Sequence, residues 1–290
     1  MRESVARIED IIAEDRVGRG IENLVIRGDL ERSARSLMEG TTVFITTGFY
    51  INETGCGETD GPLGAIALAL ALDKLGKEAV LVIDGPNKPL LECALDTVGL
   101  DISIVLFPIS GGEAFAKELL REYRPSHLIA LERVGQARDG KYYDMRVTDI
   151  SQRVAHLDVL FTAAADMGIR TIGIGDGGNE IGMGKVYDIV IDSVPNGESI
   201  ACVTPTDYLI VSGVSNWAAH GICACLSLLV KDNLMMEESV ERELLQAVVR
   251  CGAVDGYTLK REETVDSLKA RDYFEVVNRL REMVNKEILP

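Results

Sequence analysis

Three stretches of the chain crowd carboxylates among glycines. They are GFYINETGCGETDGPLGA (48–65), ERVGQARDGKYYDMRVTDIS (132–151) and GDGGNEIGMGK (175–185). Carboxylates whose proton affinities are set apart by their surroundings can take and give protons in one reaction. Glu58 and Asp60 of the first stretch, Glu132 of the second, and Asp176 and Glu180 of the third are therefore the candidate catalytic groups. The second stretch adds Arg133 and Arg146, whose planar forks suit a substrate carboxylate, and Tyr143. In the third, Gly177, Gly178 and Asn179 are expected to contact a small ligand, the glycines through backbone N–H groups that could also hold an oxyanion. The same oxygens could bind a hard cation, with Asp176 and Glu180 as ligands of Mg²⁺ or Mn²⁺; no cofactor is otherwise indicated.

The third stretch also contains Gly173-x-Gly175-x-x-Gly178, the spacing of a dinucleotide phosphate loop. Two arguments oppose that reading. Asp176 and Glu180 stand where phosphates would lie, and YDIVIDS (187–193), taken as a strand, follows too soon for the helix such a loop must open. Cys56 is not expected to be a nucleophile, because His127, His156 and His220 form no linked triad pattern. Ser215 or Asn216 is expected to cap the helix it opens.

These loops need a scaffold, and the hydrophobic pattern supplies one. Strand runs are predicted at 41–47, 78–84, 101–107, 126–132, 170–175, 187–193 and 207–213. Helices are predicted between them at 61–75, 89–98, 111–123 and 150–167, with another at 216–230. Alternation of this kind means an α/β fold, a mostly parallel sheet covered by helices on both faces. The chain is expected to be one domain over 1–290, with helical extensions at 1–40 and 235–290. Sites in such sheets lie outside the carboxyl ends of the strands, where all three loops fall.

Composition narrows the partners. Of 290 residues, 47% are apolar, enough for a substantial core. The net charge of −16 repels nucleic acid and anionic membranes, so neither is expected as a partner. A small acidic molecule meeting a locally basic group fits better, and a homo-oligomer is compatible. No apolar run is long enough for a membrane span, the N-terminus reads as an acidic amphipathic helix, and the cytoplasm is the expected compartment. The six cysteines are expected to be reduced and mostly buried.

The segments TGFYINETGCGETDGPLGAIALALAL, ALERVGQARDGKYYDMRVTDIS, TIGIGDGGNEIGMGKV and ACVTPTDYLIVSGVSNWAAHG resemble the D-glutamate cyclase-like family, in order, from about residue 40 to 230. Val134 stands where that family's E-R-P-G pattern has proline. The resemblance implies a lyase that converts D-glutamate, or a related small acidic amino acid, to 5-oxo-D-proline with loss of water. The alternative is a metal-dependent enzyme, or a sensor, for a phosphorylated or nucleotide ligand.

Overall fold

A computed structural model describes residues 1–288. In chain order it begins with α1 (Arg2–Ile12), α2 (Asp29–Glu39), β1 (Thr42–Thr47), the short β2 (Tyr50–Ile51) and β3 (Cys56–Gly57), and α3 (Pro62–Lys74). There follow β4 (Glu78–Ile83), α4 (Lys88–Val98), β5 (Ser103–Leu106), α5 (Gly112–Tyr123), β6 (His127–Leu131), α6 (Asp158–Asp166) and β7 (Arg170–Gly175). The rest comprises α7 (Tyr187–Ser193), α8 (Gly197–Ile200), β8 (Tyr208–Val211), α9 (Ser215–Val230), α10 (Glu238–Arg250), the hairpin β9 (Thr264–Val265) and β10 (Leu268–Lys269), and α11 (Ala270–Ile288).

Six strands form one parallel sheet in the order β5-β4-β1-β6-β7-β8. The chain works outward from β1 through β4 to β5, then returns to β6 on the other side of β1 and works outward again. That reversal opens a crevice between the carboxyl ends of β1 and β6, the usual ligand position in doubly wound sheets. Successive strand side chains face opposite layers. Val43, Ile45, Leu81, Ile129 and Ile174 join the core beneath α3 and α9, while Phe44, Val80, Leu128 and Ala130 join a second core beneath α5 and α6. The α/β fold with helices on both faces is therefore as the pattern predicts. The far edge strand β8 is covered by α2, whose Asp29 accepts a hydrogen bond from the Leu209 amide at 2.9 Å.

Three expectations need correction. YDIVIDS is helix α7 and not a strand. Its β-branched residues suggested a strand, but Val186, Val190 and Val194 are the buried positions, a helical spacing of four. The helix predicted at 150–167 is confined to Asp158–Asp166, with turns before it. Cys93 and Cys251 form a disulfide joining α4 to the end of α10, whereas Cys56, Cys202, Cys223 and Cys225 are free. Among the described residues no helix is long and apolar enough to cross a membrane.

Candidate active site

The loops after β1, β6 and β7 meet over the crevice around a cleft of about 480 Å³. Glu58, Glu132, Asp144, Asp176, Glu180 and Asp266 bring six carboxylates to its lining, against the two arginines Arg19 and Arg146. Both terminal extensions contribute. Arg19 comes from the loop after α1, and Gly256, Tyr257 and Asp266 come from the segment between α10 and α11.

Each side chain is aimed by its local backbone. Glu132 follows the last residue of β6 and has φ +45°, a left-handed conformation that costs a non-glycine residue about 1–3 kcal/mol. Its Oε2 accepts a hydrogen bond from Ser215 Oγ at 2.6 Å. Glu58 lies where the chain runs beside Val254, and a Cβ on Gly256 would stand 1.7 Å from its Oε2, so any side chain there would displace this carboxylate. Asp60 accepts amide hydrogen bonds from Gly61 (3.0 Å) and Asn216 (2.9 Å) on Oδ1 and from Ser215 (2.8 Å) on Oδ2. Asn216 Oδ1 in turn accepts from Gly61 and Gly64 at 3.0 and 2.7 Å. Asp60 thus caps α9 and Asn216 caps α3. Neither Ser215 nor Asn216 caps its own helix, contrary to the expectation from sequence.

Asp266 and Ser267 form the two-residue turn between β9 and β10, both with positive φ (52° and 66°), as tight hairpins of the primed type require. Asp255 fixes that turn by accepting the Ser267 amide at 2.7 Å. Arg19 is delivered by a turn in which the Asp15 carboxylate accepts the amides of Gly18, Arg19 and Gly20 at 2.7–3.0 Å. Its guanidinium pairs with Asp266 at 2.9 Å and also contacts Asp176. The Asp176 contact is an ion pair without hydrogen-bond alignment, for Asp176 Oδ2 accepts no hydrogen bond.

Oxygens of Asp60, Glu132 and Asp176 lie within 4.8 Å of one another. At that separation two unit charges repel by about 3–4 kcal/mol at an effective dielectric of ~20, so the three cannot all be ionised without a compensating proton or cation. Burial pushes Glu58 well above the usual carboxylate range, with help from Asp266 and Asp60. Burial does the same to Glu132, with help from Glu180 and Asp60. It also raises Asp176, although Arg19 opposes it. Asp60 is pushed up to about 7 by burial and Asp266, against the pull of its backbone donors. Burial alone would lower the Arg19 guanidinium, but Asp176 and Asp266 more than offset that and hold its charge.

The sequence candidates divide accordingly. Glu58, Asp60, Glu132 and Asp176 come together. Glu180 borders the cleft, but its carboxylate is turned into its own loop, accepting the amides of Asp176 (2.8 Å), Gly177 (2.6 Å) and Gly178 (2.7 Å). The amides of Gly177 and Gly178 therefore serve Glu180 and are not offered to a ligand. This also revises the case against a dinucleotide. The crossover from β7 to β8 carries a helix after all, but the anion cradle is filled by a side chain of the same loop. As hard-cation ligands, the carboxylates that converge are Asp60, Glu132 and Asp176, and Glu180 is not among them.

Asn179 lines the cleft while its amide donates to the Tyr143 carbonyl at 2.8 Å. Arg146 lines it too, held by the carbonyls of Gly256 (3.0 Å) and Tyr257 (3.3 Å). Arg133 and Tyr143 do not line it. Arg133 is fully buried behind the crevice, donating to Asp84 (2.6 Å), Gly48 O (3.0 Å) and Ala155 O (2.8 Å). A buried guanidinium needs a charge partner, and Asp84, the residue after β4, is the one beside it. The Tyr143 hydroxyl donates to Asp139 at 2.7 Å on the outer surface. Arg19 and Asp266 were missed. Their local signals, Gly18-Arg19-Gly20 and the turn in TVDSLK, mark bends but not what the bends face.

Comparison with known proteins gives the family. A family model described as D-glutamate cyclase-like, C-terminal, matches residues 8–281. The human protein named D-glutamate cyclase, mitochondrial, is 35% identical over 241 residues, covering 78% of this chain and 39% of the human one. The chain thus spans about two fifths of that relative's length. With a match that runs through every loop of the cleft, the chain belongs to the D-glutamate cyclase-like, C-terminal family.

Proposed function

We propose that the chain is a lyase that closes D-glutamate, or a closely related small acidic amino acid, to 5-oxo-D-proline and water. The observation that carries this is a set of buried carboxylates of raised proton affinity around one cleft that also holds a fixed guanidinium. The reaction forms a bond from the amine nitrogen to the γ-carboxyl carbon and breaks a bond from that carbon to oxygen. The ammonium gives up two protons, and the departing oxygen gains two. The site must therefore accept protons from nitrogen and deliver them to oxygen, with no net change. Buried carboxyl groups whose proton affinity is raised can do both, and Glu58 and Glu132, which face the cleft, are the pair assigned that work.

The α-carboxylate needs a cation, and Arg19 takes the place that the sequence pattern gave to Arg133. Arg146, at the cleft mouth, is the second cation within reach. Carboxylates outnumber arginines here, so a substrate with two carboxylates binds where several acids are protonated. A second reading rests on the trio Asp60, Glu132 and Asp176, whose hard oxygens suit Mg²⁺ or Mn²⁺. Such an ion would lend Lewis acidity toward a substrate carboxylate.

The test is conversion of D-glutamate to its lactam, followed by chromatography with and without Mn²⁺. Turnover by the wild-type chain is expected, with affinity weakened by about 2–5 kcal/mol in Arg19→Met. No lactam under either condition would reject the lyase reading, and turnover only with metal would favour the second.

A further inference from the structure

We propose that Ser215 is a positioning residue that sets the direction of the Glu132 carboxylate. This inference rests on the assignment of Glu132 to proton transfer. Ser215 is fully buried at the first turn of α9, yet its hydroxyl is not spent on capping that helix. Its Oγ donates to Glu132 Oε2 at 2.6 Å, while its amide donates to Asp60 Oδ2 at 2.8 Å. One residue thus spans two of the three clustered carboxylates.

The need for such a tether is visible in the backbone. Glu132 sits at φ +45°, where a non-glycine residue stays only if its surroundings hold it. Around it stand Glu58, Asp60, Asp176 and Glu180, all acids, with the guanidinium of Arg19 among them. Like charges would turn Glu132 away from its neighbours. Among the hydrogen bonds of the described residues, the Ser215 hydroxyl is the donor that holds its side chain in place. With Oε2 occupied, the other oxygen is left for the cleft.

The experiment compares Ser215→Ala, Ser215→Cys and Ser215→Thr in the full chain, by D-glutamate kinetics and by crystal structures. Alanine and cysteine are expected to lower kcat by about 10²-fold, the effect of a misplaced reacting group, with KM nearly unchanged. Threonine, which keeps the hydroxyl, is expected to restore most of the rate. The crystal structures are expected to show Glu132 rotated out of the cluster in the alanine and cysteine variants, and this arm stands whatever the substrate. If wild type makes no lactam while Glu132 still swings away, the lyase reading fails and the positioning role survives. If Glu132 stays in place in both variants, or alanine and cysteine turn over as fast as wild type, the positioning role is overturned.

Discussion

Helix α9 touches two buried carboxylates of opposite character. At its first residue, Ser215 holds Glu132 among acids. Five residues on, His220 Nε2 lies 2.7 Å from Glu241, which also accepts from the Tyr273 hydroxyl at 2.7 Å and from Arg281. Both glutamates are buried, Glu132 with 7% exposure and Glu241 with none. Burial raises the proton affinity of each. At Glu241, His220, Arg281 and Tyr273 more than offset it and the pKa falls below the usual range. At Glu132 the neighbours are mostly like charges, and the pKa rises well above it. Burial does not by itself set the direction in which a carboxylate's proton affinity moves. The sign of what surrounds it does.

Substitution of the two glutamates is the sharpest way to break this comparison. Glu132→Gln is expected to lower turnover of D-glutamate by about 10²–10⁴-fold, with thermal stability unchanged or raised because a buried acid whose ionisation its neighbours oppose is gone. Kinetics and calorimetry check both halves, and a variant that unfolds would place Glu132 with the structural group. Glu241→Ala is expected to do the reverse. Leaving Arg281 buried without its partner costs about 3–5 kcal/mol, with turnover per folded molecule near wild type. A folded but inactive Glu241→Ala would erase the distinction.

The smallest effect is on pH dependence. Asp60 has its folded pKa raised to about 7, so the stability linked to it is complete below its unfolded value and is lost as pH rises toward 7. Glu241 is lowered, so its contribution is present above its unfolded value and is lost as pH falls through the folded one. Each pH unit crossed by one such group is worth at most about 1.4 kcal/mol. The melting temperature is expected to fall between pH 5 and 7, less steeply in Asp60→Asn. A melting temperature that rises over that interval would contradict the assignment.

The amino-acid sequence by itself determined the sheet, because alternation of apolar runs is a local property that hydrophobic burial enforces at every strand. It also determined which loops would meet at one cleft, since glycine–acid stretches after β1, β6 and β7 must gather at the carboxyl edge of a parallel sheet. Glu58, Asp60, Glu132 and Asp176 were legible for that reason. The tertiary structure alone decided where side chains point and which charges meet. It turned Glu180 into its own loop, paired Arg133 with Asp84, and brought Arg19 and Asp266 from opposite ends of the chain to one cleft. Partners so far apart in sequence leave no periodic trace. Their meeting is fixed by how helices and turns pack, and a buried charge then takes whichever opposite charge that packing sets beside it.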